Sequence, residues 1–409
     1  METKYIILAV PFFAFFILLE VFLSYRRGIK TYRVHDTIAN LACGVGSQIY
    51  ALAVYGLGFF VYAKVLQHFR LFEISPKSIL AWVVLFFIDD FCYYLYHWAS
   101  HRVNFLWATH SVHHQSEEYN LAVALRQSWF TGLTSFVFYL PLAVIGFPMV
   151  MYLTVRTANT LYQFWIHTRP IGKLGFLEWF LNTPSHHRVH HGIDPRYIDK
   201  NHAGVFIIWD RLLGTFLEED GEPVYGVVKP LSSFNPLWAN VVEWVRLWEI
   251  ARRTERLADK IKIWFMPPEW HPADLGGVVT IPEVSRATQK KYDPHPPARI
   301  RSYVLLSFVM SFSAGVLFLV VQAQLTGWQQ ALYVIELTAA MVAISGLTER
   351  KRWAPALEAV RLASLVGVAA LLPRSYALGL VAVTLSMLGA AAAVAVADRL
   401  RPTPTLSQQ

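Results

Sequence analysis

Cysteine is almost missing from this chain: its 409 residues include two, Cys43 and Cys92, both inside apolar stretches. They can supply neither a disulfide framework nor a thiolate metal site, so any metal must be held by nitrogen and oxygen. Charge is scarce as well. Asp, Glu, Lys and Arg make up 16% of the residues against 55% hydrophobic ones, and the mean hydropathy is +0.37, a balance that excludes an ordinary soluble domain and marks an integral membrane protein. Acidic residues are the rarer sign, 28 against 36 basic, for a net charge of +8. The Lys and Arg gather beside apolar spans, as in cytoplasmic loops, so the expected acidic partner is a phosphate headgroup and not nucleic acid. The zinc-hydrolase helix motif HExxH is absent, because Trp-Ala-Ser separates His97 from His101.

What the chain has in place of these is histidine, tightly grouped. Of 15 histidines, five fall within 97–114 (His97, His101, His110, His113, His114) and four within 186–191 (His186, His187, His190, His191). On a helix, residues four apart lie roughly 40° from one another and reach toward one point, so His97 and His101 can clamp one ion. The HxxHH run at His110, His113 and His114 repeats the device, and its extra histidine points elsewhere, toward a neighbouring ion. A second HxxHH stands at His187, His190 and His191. Neutral imidazoles crowded at a membrane boundary have no packing advantage over Leu or Phe, which makes metal binding the better reading.

In chain order, residues 5–24 can cross the hydrocarbon core as a helix, and the run shows no small-residue cleavage site of a signal peptide. Tyr25-Arg26-Arg27, Lys30 and Arg33 follow and are expected in the cytoplasm. Further spans are expected at 38–62 and 79–97, the latter returning His97 to the cytoplasmic side. Residues 129–167 can cross and come back, turning at Gly146-Phe147-Pro148, and bring Gln163 and His167 to the same face. Residues 169–300 hold no membrane-length span. Within them 236–265 reads as an amphipathic helix that lies on the bilayer or covers the site, and 266–300 as a Pro-rich linker whose His271 and His295 are not expected to bind metal. Four more spans are expected at 302–323, 328–347, 354–372 and 376–397, without histidine. The expected fold is all-α: a four-helix transmembrane unit with a cytosolic histidine-rich di-metal cap, plus a C-terminal four-helix transmembrane accessory domain. The divisions are 1–35 (first helix and basic loop), 36–230 (catalytic), 231–300 (amphipathic helix and linker), 301–400 (accessory domain that anchors, dimerises or shapes lipid access) and 401–409 (tail).

Imidazole suits iron, zinc and copper alike, so spacing leaves the metal open. Two histidine-bound irons can bind O2 between them, and a long-chain lipid can reach a site just beneath the inner leaflet. Such a lipid hydroxylase stands beside two alternatives, a desaturase on the same core and a histidine-lined metal transporter. Among polar residues, Asp90 shares a helix face with Tyr94, His97 and His101 and is the first candidate to orient the ligands. Glu118, Asn182, Asp194, Asp199, Asn201 and Asp210 are further candidates, with Arg126 and Lys200 as headgroup contacts.

The order HxxxH, HxxHH, a single His and HxxHH, with the runs TPSHHRVHHG and NHAGVFIIWDRLLGTF, resembles the fatty acid hydroxylase and sterol desaturase superfamily. YNLAVALRQSW and YIDKNHAGVFIIWDRLLGTF look most like its alkylglycerol monooxygenase branch, in a bacterial-type member. The resemblance covers about residues 36–230. It implies a non-haem di-iron monooxygenase in a bacterial inner membrane, with a membrane lipid and O2 as substrates and an external reductant, a tetrahydropterin or a redox protein. It implies His97, His101, His110, His113, His114, His187, His190 and His191 as ligands, with His167 as the additional one, and leaves His186 and His202 open. The chain departs from the animal branch after the second His of HxxxH, where Arg102 replaces a glutamate.

Overall fold

The computed structural model describes residues 3–370 and 388–389. Described residues are helical apart from loops and turns, with isolated antiparallel bridges at Leu181–Phe206 and Gly192–Tyr225. Among the described residues four helices are long and apolar enough to cross a membrane, Ala9–Arg26, Ile79–Arg102, Ala298–Gln324 and Gly327–Thr348, and there are up to five if Val34–Ala51 and Val54–Phe69, bent by 49°, count as one span. The chain is an all-α, multi-pass membrane protein. It forms two compact units, Met1–Ser232 with Leu237–Tyr292, and Ser233–Pro236 with Asp293–Gln409.

The first unit opens with α1 (Thr3–Arg26), α2 (Val34–Phe69), α3 (Ile79–Arg102) and α4 (Asn104–His114). Ser78 starts α3 by accepting the Ala81 N–H on its side chain, which satisfies one orphan donor of the first turn. The helix then runs five residues past the expected end at 97, so His97 and His101 project from one continuous element. The two legs of the 129–167 stretch differ from expectation. The first, Thr131–Ile145, is broken by a 3-10 turn at Phe136–Tyr139, and the second is the 17-residue helix Met149–Trp165. At 1.5 Å per residue each leg is shorter than the roughly 30 Å hydrocarbon core, so the pair forms a short hairpin packed on α2 and α3. Its turn needs glycine: Gly146 has φ +114°, and a Cβ there would lie 2.0 Å from the Phe72 carbonyl oxygen. Tyr62, Leu85, Cys92, Tyr139, Leu142, Phe147, Met151 and Val155 close the core of this region.

The expected amphipathic helix over 236–265 divides into Pro236–Arg253 and Leu257–Lys262. Leu247, Ala251 and Ile263 bury against Ala108 of α4, and Asn104 Nδ2 donates to the Ile263 carbonyl at 2.9 Å. This element therefore covers the histidine-bearing α4, although Trp248 stays 63% exposed on its outer face.

In the second unit, helices Ala298–Val321, Gly327–Thr348 and Ala354–Ala370 pack in sequence. Arg361 bonds to Glu336 (2.8 Å) and Glu358 (2.7 Å), and the Tyr303 hydroxyl donates to Glu358, so one buried guanidinium joins all three helices. The expected span at 376–397 lies outside the described residues apart from 388–389.

Candidate metal centre

Helical geometry sorts the histidines. His97 and His101 of α3, His110 and His114 of α4, and His190 form one group, and His113, His167, His187 and His191 a second; within each, the ligand nitrogens lie within 4.8 Å of one another. In each HxxHH run the outer pair, four apart, serves one group while the middle histidine, turned about 100° away, serves the other. The two runs do this in opposite senses, so each group draws on both. The groups share a wall: the His114 and His191 rings stack at 4.4 Å and those of His187 and His190 at 5.1 Å.

Pairs of Nε2 atoms stand close in both groups. In the first, His97–His110 is 2.9 Å, His110–His114 is 3.1 Å and His114–His190 is 3.2 Å. In the second, His113–His167 is 3.1 Å and His167–His187 is 3.0 Å. Two ligands at right angles on an ion with bonds near 2.1 Å would be about 3.0 Å apart, so these donor sets fit metal ions. The far side of each ring is tied to backbone. Nδ1 of His97, His113, His167 and His190 meets the carbonyl oxygens of His202 (2.7 Å), Arg126 (3.0 Å), Gln163 (2.7 Å) and Lys200 (3.0 Å). Donation from Nδ1–H fixes the tautomer and turns the Nε2 lone pair inward. His101 has a carboxylate instead: its Nδ1 lies 3.7 Å from Asp199, which also pairs with Arg102 Nε at 3.1 Å.

Burial, then crowding by neighbouring imidazoles, pushes His110, His114, His187, His190 and His191 well below the usual histidine range. Burial, helped by the nearby Arg126 charge and opposed by the hydrogen bond to the Arg126 carbonyl, takes His113 down to about 4. These rings are neutral and available as ligands at neutral pH. The sign for stability follows: the unfolded chain takes up protons near pH 6.5 while the folded rings do not, so stability is full above about pH 6.5 and falls as acid is added. Each such ring costs up to about 1.4 kcal/mol per pH unit below that point. Melting of the metal-free protein in detergent should drop steeply between about pH 6.5 and pH 5; a flat profile would show that the rings titrate normally.

The remaining candidates take other places. Asp90, on the ligand face of α3, makes its hydrogen bonds to a neighbouring loop. Its fully buried carboxylate accepts Val205 N–H (2.8 Å), Phe206 N–H (3.0 Å), Trp209 Nε1–H (3.0 Å) and Asn159 Nδ2–H (2.9 Å). It clamps the loop whose His202 carbonyl holds His97. Asn182 donates to the Ala203 carbonyl (2.6 Å), and Asp210 accepts the His202 and Ala203 N–H groups (2.8 Å each) in the same loop. Gly204 is where this loop meets α3: a Cβ there would lie 2.7 Å from Asp90 Oδ1 and 2.8 Å from the Tyr93 ring. Gly204→Ala should cost about 1–3 kcal/mol by overpacking, seen as a lower melting temperature; an unchanged value would show that the loop can yield.

Glu118 pairs with Arg33 (2.6 Å) and Lys291 (2.7 Å), Asp194 accepts the Val224 N–H (2.9 Å), and Asn201 Nδ2 donates to the His186 and Leu217 carbonyls (3.1 and 2.7 Å). None of the three bonds to the histidine groups in these contacts. Arg126 is buried and donates to the Val112 carbonyl (2.6 Å), Asn40 (3.1 Å) and Gln115 (2.9 Å), so it braces the cap and meets no headgroup. His186 belongs to neither group and lies 4.0 Å from Glu178. His202 also stays outside both, though its ring centroid is 5.0 Å from that of His101. Sequence reasoning overlooked Trp107 and Tyr119, whose rings flank His101 (5.1 Å) and His191 (5.2 Å). Their one signal is aromatic residues within a turn or two of the ligand runs.

Two adjoining groups of imidazoles at the end of α3, in a chain with several membrane-length helices, make a candidate metal centre in a membrane protein. Residues 82–215 match the model described as "Fatty acid hydroxylase". Alkylglycerol monooxygenase of Xenopus tropicalis is 38% identical over 308 residues, 75% of this chain and 69% of the relative, and that of Homo sapiens is 38% identical over 309 residues with the same coverage. The ornithine lipid hydroxylase OlsE of Rhizobium tropici is 27% identical over 139 residues, 32% of this chain and 39% of its own. No solved structure matches significantly. At that identity and coverage, the chain belongs to the alkylglycerol monooxygenase family.

Proposed function

We propose that this protein is a di-iron monooxygenase that uses O2 to hydroxylate the alkyl carbon next to the ether oxygen of an ether lipid. The observation that carries the reading is the pair of adjoining groups, five and four neutral imidazoles, at the end of α3 in a chain of this family. Iron, when bound, would supply the oxidising power needed to break the C–H bond next to the ether oxygen. The nine histidines would hold it: His97, His101, His110, His114 and His190 on one side, His113, His167, His187 and His191 on the other. The backbone carbonyls orient the rings of His97, His113, His167 and His190, while Trp107 and Tyr119 keep bulk water from the histidines.

The overall change takes O2, two electrons and two protons. One oxygen enters the C–H bond and the other leaves as water, and the hemiacetal product then splits into aldehyde and glycerol. A tetrahydropterin or a separate redox protein supplies the electrons. The catalytic part is residues 36–230, with 231–300 as cover and linker and 301–400 as an accessory membrane domain. The histidine cap faces the cytoplasm. Supporting this, the basic loop after α1 lies beside the cap, with Arg27 donating to the Pro170 carbonyl (2.8 Å) and Arg33 paired to Glu118.

Lipid extracts of cells with and without the protein, fed an alkylglycerol, test the reading by mass spectrometry. Loss of the ether lipid with formation of fatty aldehyde is expected. A product with a new double bond and no added oxygen, or no change in the ether lipids, would overturn it.

A further inference from the structure

Two short segments of the histidine cap turn apolar side chains outward. They are the 3-10 turn Gly175–Trp179, with Phe180 after it, and the helix Ile208–Leu213. The two lie side by side: the Ile207 N–H donates to the Phe180 carbonyl (3.0 Å), Leu181 bridges to Phe206, and Arg211 Nη2 donates to the Glu178 carbonyl (3.1 Å). Phe176, Trp179, Phe180, Leu212 and Leu213 are all exposed, Phe176 at 73% and Leu212 at 74%. The carboxylates of the same segments, Glu178 and Asp210, are buried. Single exposed apolar residues are ordinary, but five large ones on two joined segments form a patch that needs a covering partner.

The level at which this patch meets α3 identifies the partner. Phe206 stacks on Phe87 (4.5 Å) and meets Phe86 edge-on (5.8 Å), and Trp209 packs on Phe91 (4.9 Å). Those phenylalanines stand near the middle of the 24-residue α3, about 16–24 Å from its Arg102 end at 1.5 Å per residue. A hydrocarbon core roughly 30 Å thick around α3 reaches that level. The exposed stripe of α3 itself, Leu80, Val83, Val84 and Phe87, follows the spacing of one helix face and runs into Phe206. The patch therefore continues the lipid-facing surface of a spanning helix.

Irregular backbone at such depth is tolerated only where its polar groups are paired within the protein. Asp90 accepts the Val205 and Phe206 N–H groups, and the N–H groups of Leu181, Asn182 and Ile207 reach the carbonyls of Leu177, Val205 and Phe180. The buried Asp90 carboxylate thus seals a loop that has apolar surroundings. We propose that residues 175–180 and 208–213 form a collar inserted among the acyl chains of the leaflet on the histidine side. Its partner is a lipid surface, and the proposal stands whatever reaction the histidine groups carry out.

Spin labels on the full-length protein in phosphatidylcholine vesicles test this placement. Cys43 and Cys92 are buried, so an added cysteine is the accessible thiol. Phe176→Cys and Leu212→Cys probe the two segments, Val83→Cys gives a lipid reference on α3, and Arg196→Cys gives a water reference on an exposed side chain. Labels at 176 and 212 should collide more with dissolved O2 than with a water-soluble nickel chelate, as at 83, and lie about 5–10 Å below the headgroups. The label at 196 should show the reverse order. Labels at 176 and 212 that follow the one at 196 would overturn the collar. Labels shielded from both reagents and broadened by spin–spin coupling would overturn it too, since a second copy would then cover the patch. The unmodified protein gives a measurement free of any folding defect: a phospholipid with a photoreactive acyl chain should cross-link to peptides covering 175–180 or 208–213 as well as to α3. Cross-links on α3 with none on the two segments would refute the insertion.

Discussion

Protein carrying His187→Ala should keep about one iron per chain where the parent keeps about two, and its turnover of ether lipid should fall by more than about a hundredfold. His187 belongs to the four-membered group, with its Nε2 3.0 Å from that of His167. Its removal leaves three donors there and five in the other group. His190→Ala, by contrast, takes one of five and leaves four on each side. The two variants delete the same chemical group from the same short run, so a general folding defect would affect them alike. The donor count predicts otherwise, with His190→Ala retaining more metal than His187→Ala at equal total iron. Metal analysis of the purified proteins decides it, with melting curves as the control for folding. Parent-like iron and turnover in His187→Ala would remove the second group from the chemistry, and equal losses in both variants would show that the groups do not act as two sites.

Much of this centre was legible in the chain, for a reason particular to helices. Imidazoles three and four apart have a fixed angular relation, so the division of His110, His113 and His114 between two directions follows from 100° per residue before any tertiary contact is known. The single histidine at 167 could be placed near them because the turn at Gly146 brings its helix back beside α3. Periodicity is silent on what loops do. Asp90 was visible as a carboxylate on the ligand face of α3, but its partners are backbone N–H groups more than a hundred residues away, and nothing local to the helix announces them. Arg126 reads as a headgroup contact because a cation beside a membrane span usually is one, and here buried backbone carbonyls claim it first.

Asp90→Ala should destabilise the protein by about 3–5 kcal/mol, the usual cost of stripping one member from a buried, charged hydrogen-bond network. Four donors lose their acceptor at once, two of them backbone N–H groups. The damage should reach the metal as well. The freed loop carries the His202 carbonyl that holds His97 Nδ1 at 2.7 Å. With that hold loosened, the first histidine group should bind iron about 10–100-fold more weakly, the range for losing an outer-shell partner. Asp90→Asn keeps one acceptor oxygen but turns an amide N–H toward other donors, so it should fall between the parent and Asp90→Ala in both melting temperature and iron retention. Gly204→Ala presses on the same joint from the loop side, at 2.7 Å from Asp90 Oδ1, and combining it with Asp90→Ala should cost less than the two separate effects added, since the alanine removes the oxygen it collides with. Strict additivity, measured as melting shifts in one detergent, would mean that carboxylate and loop are not coupled, and Asp90 would then have no structural route to the metal.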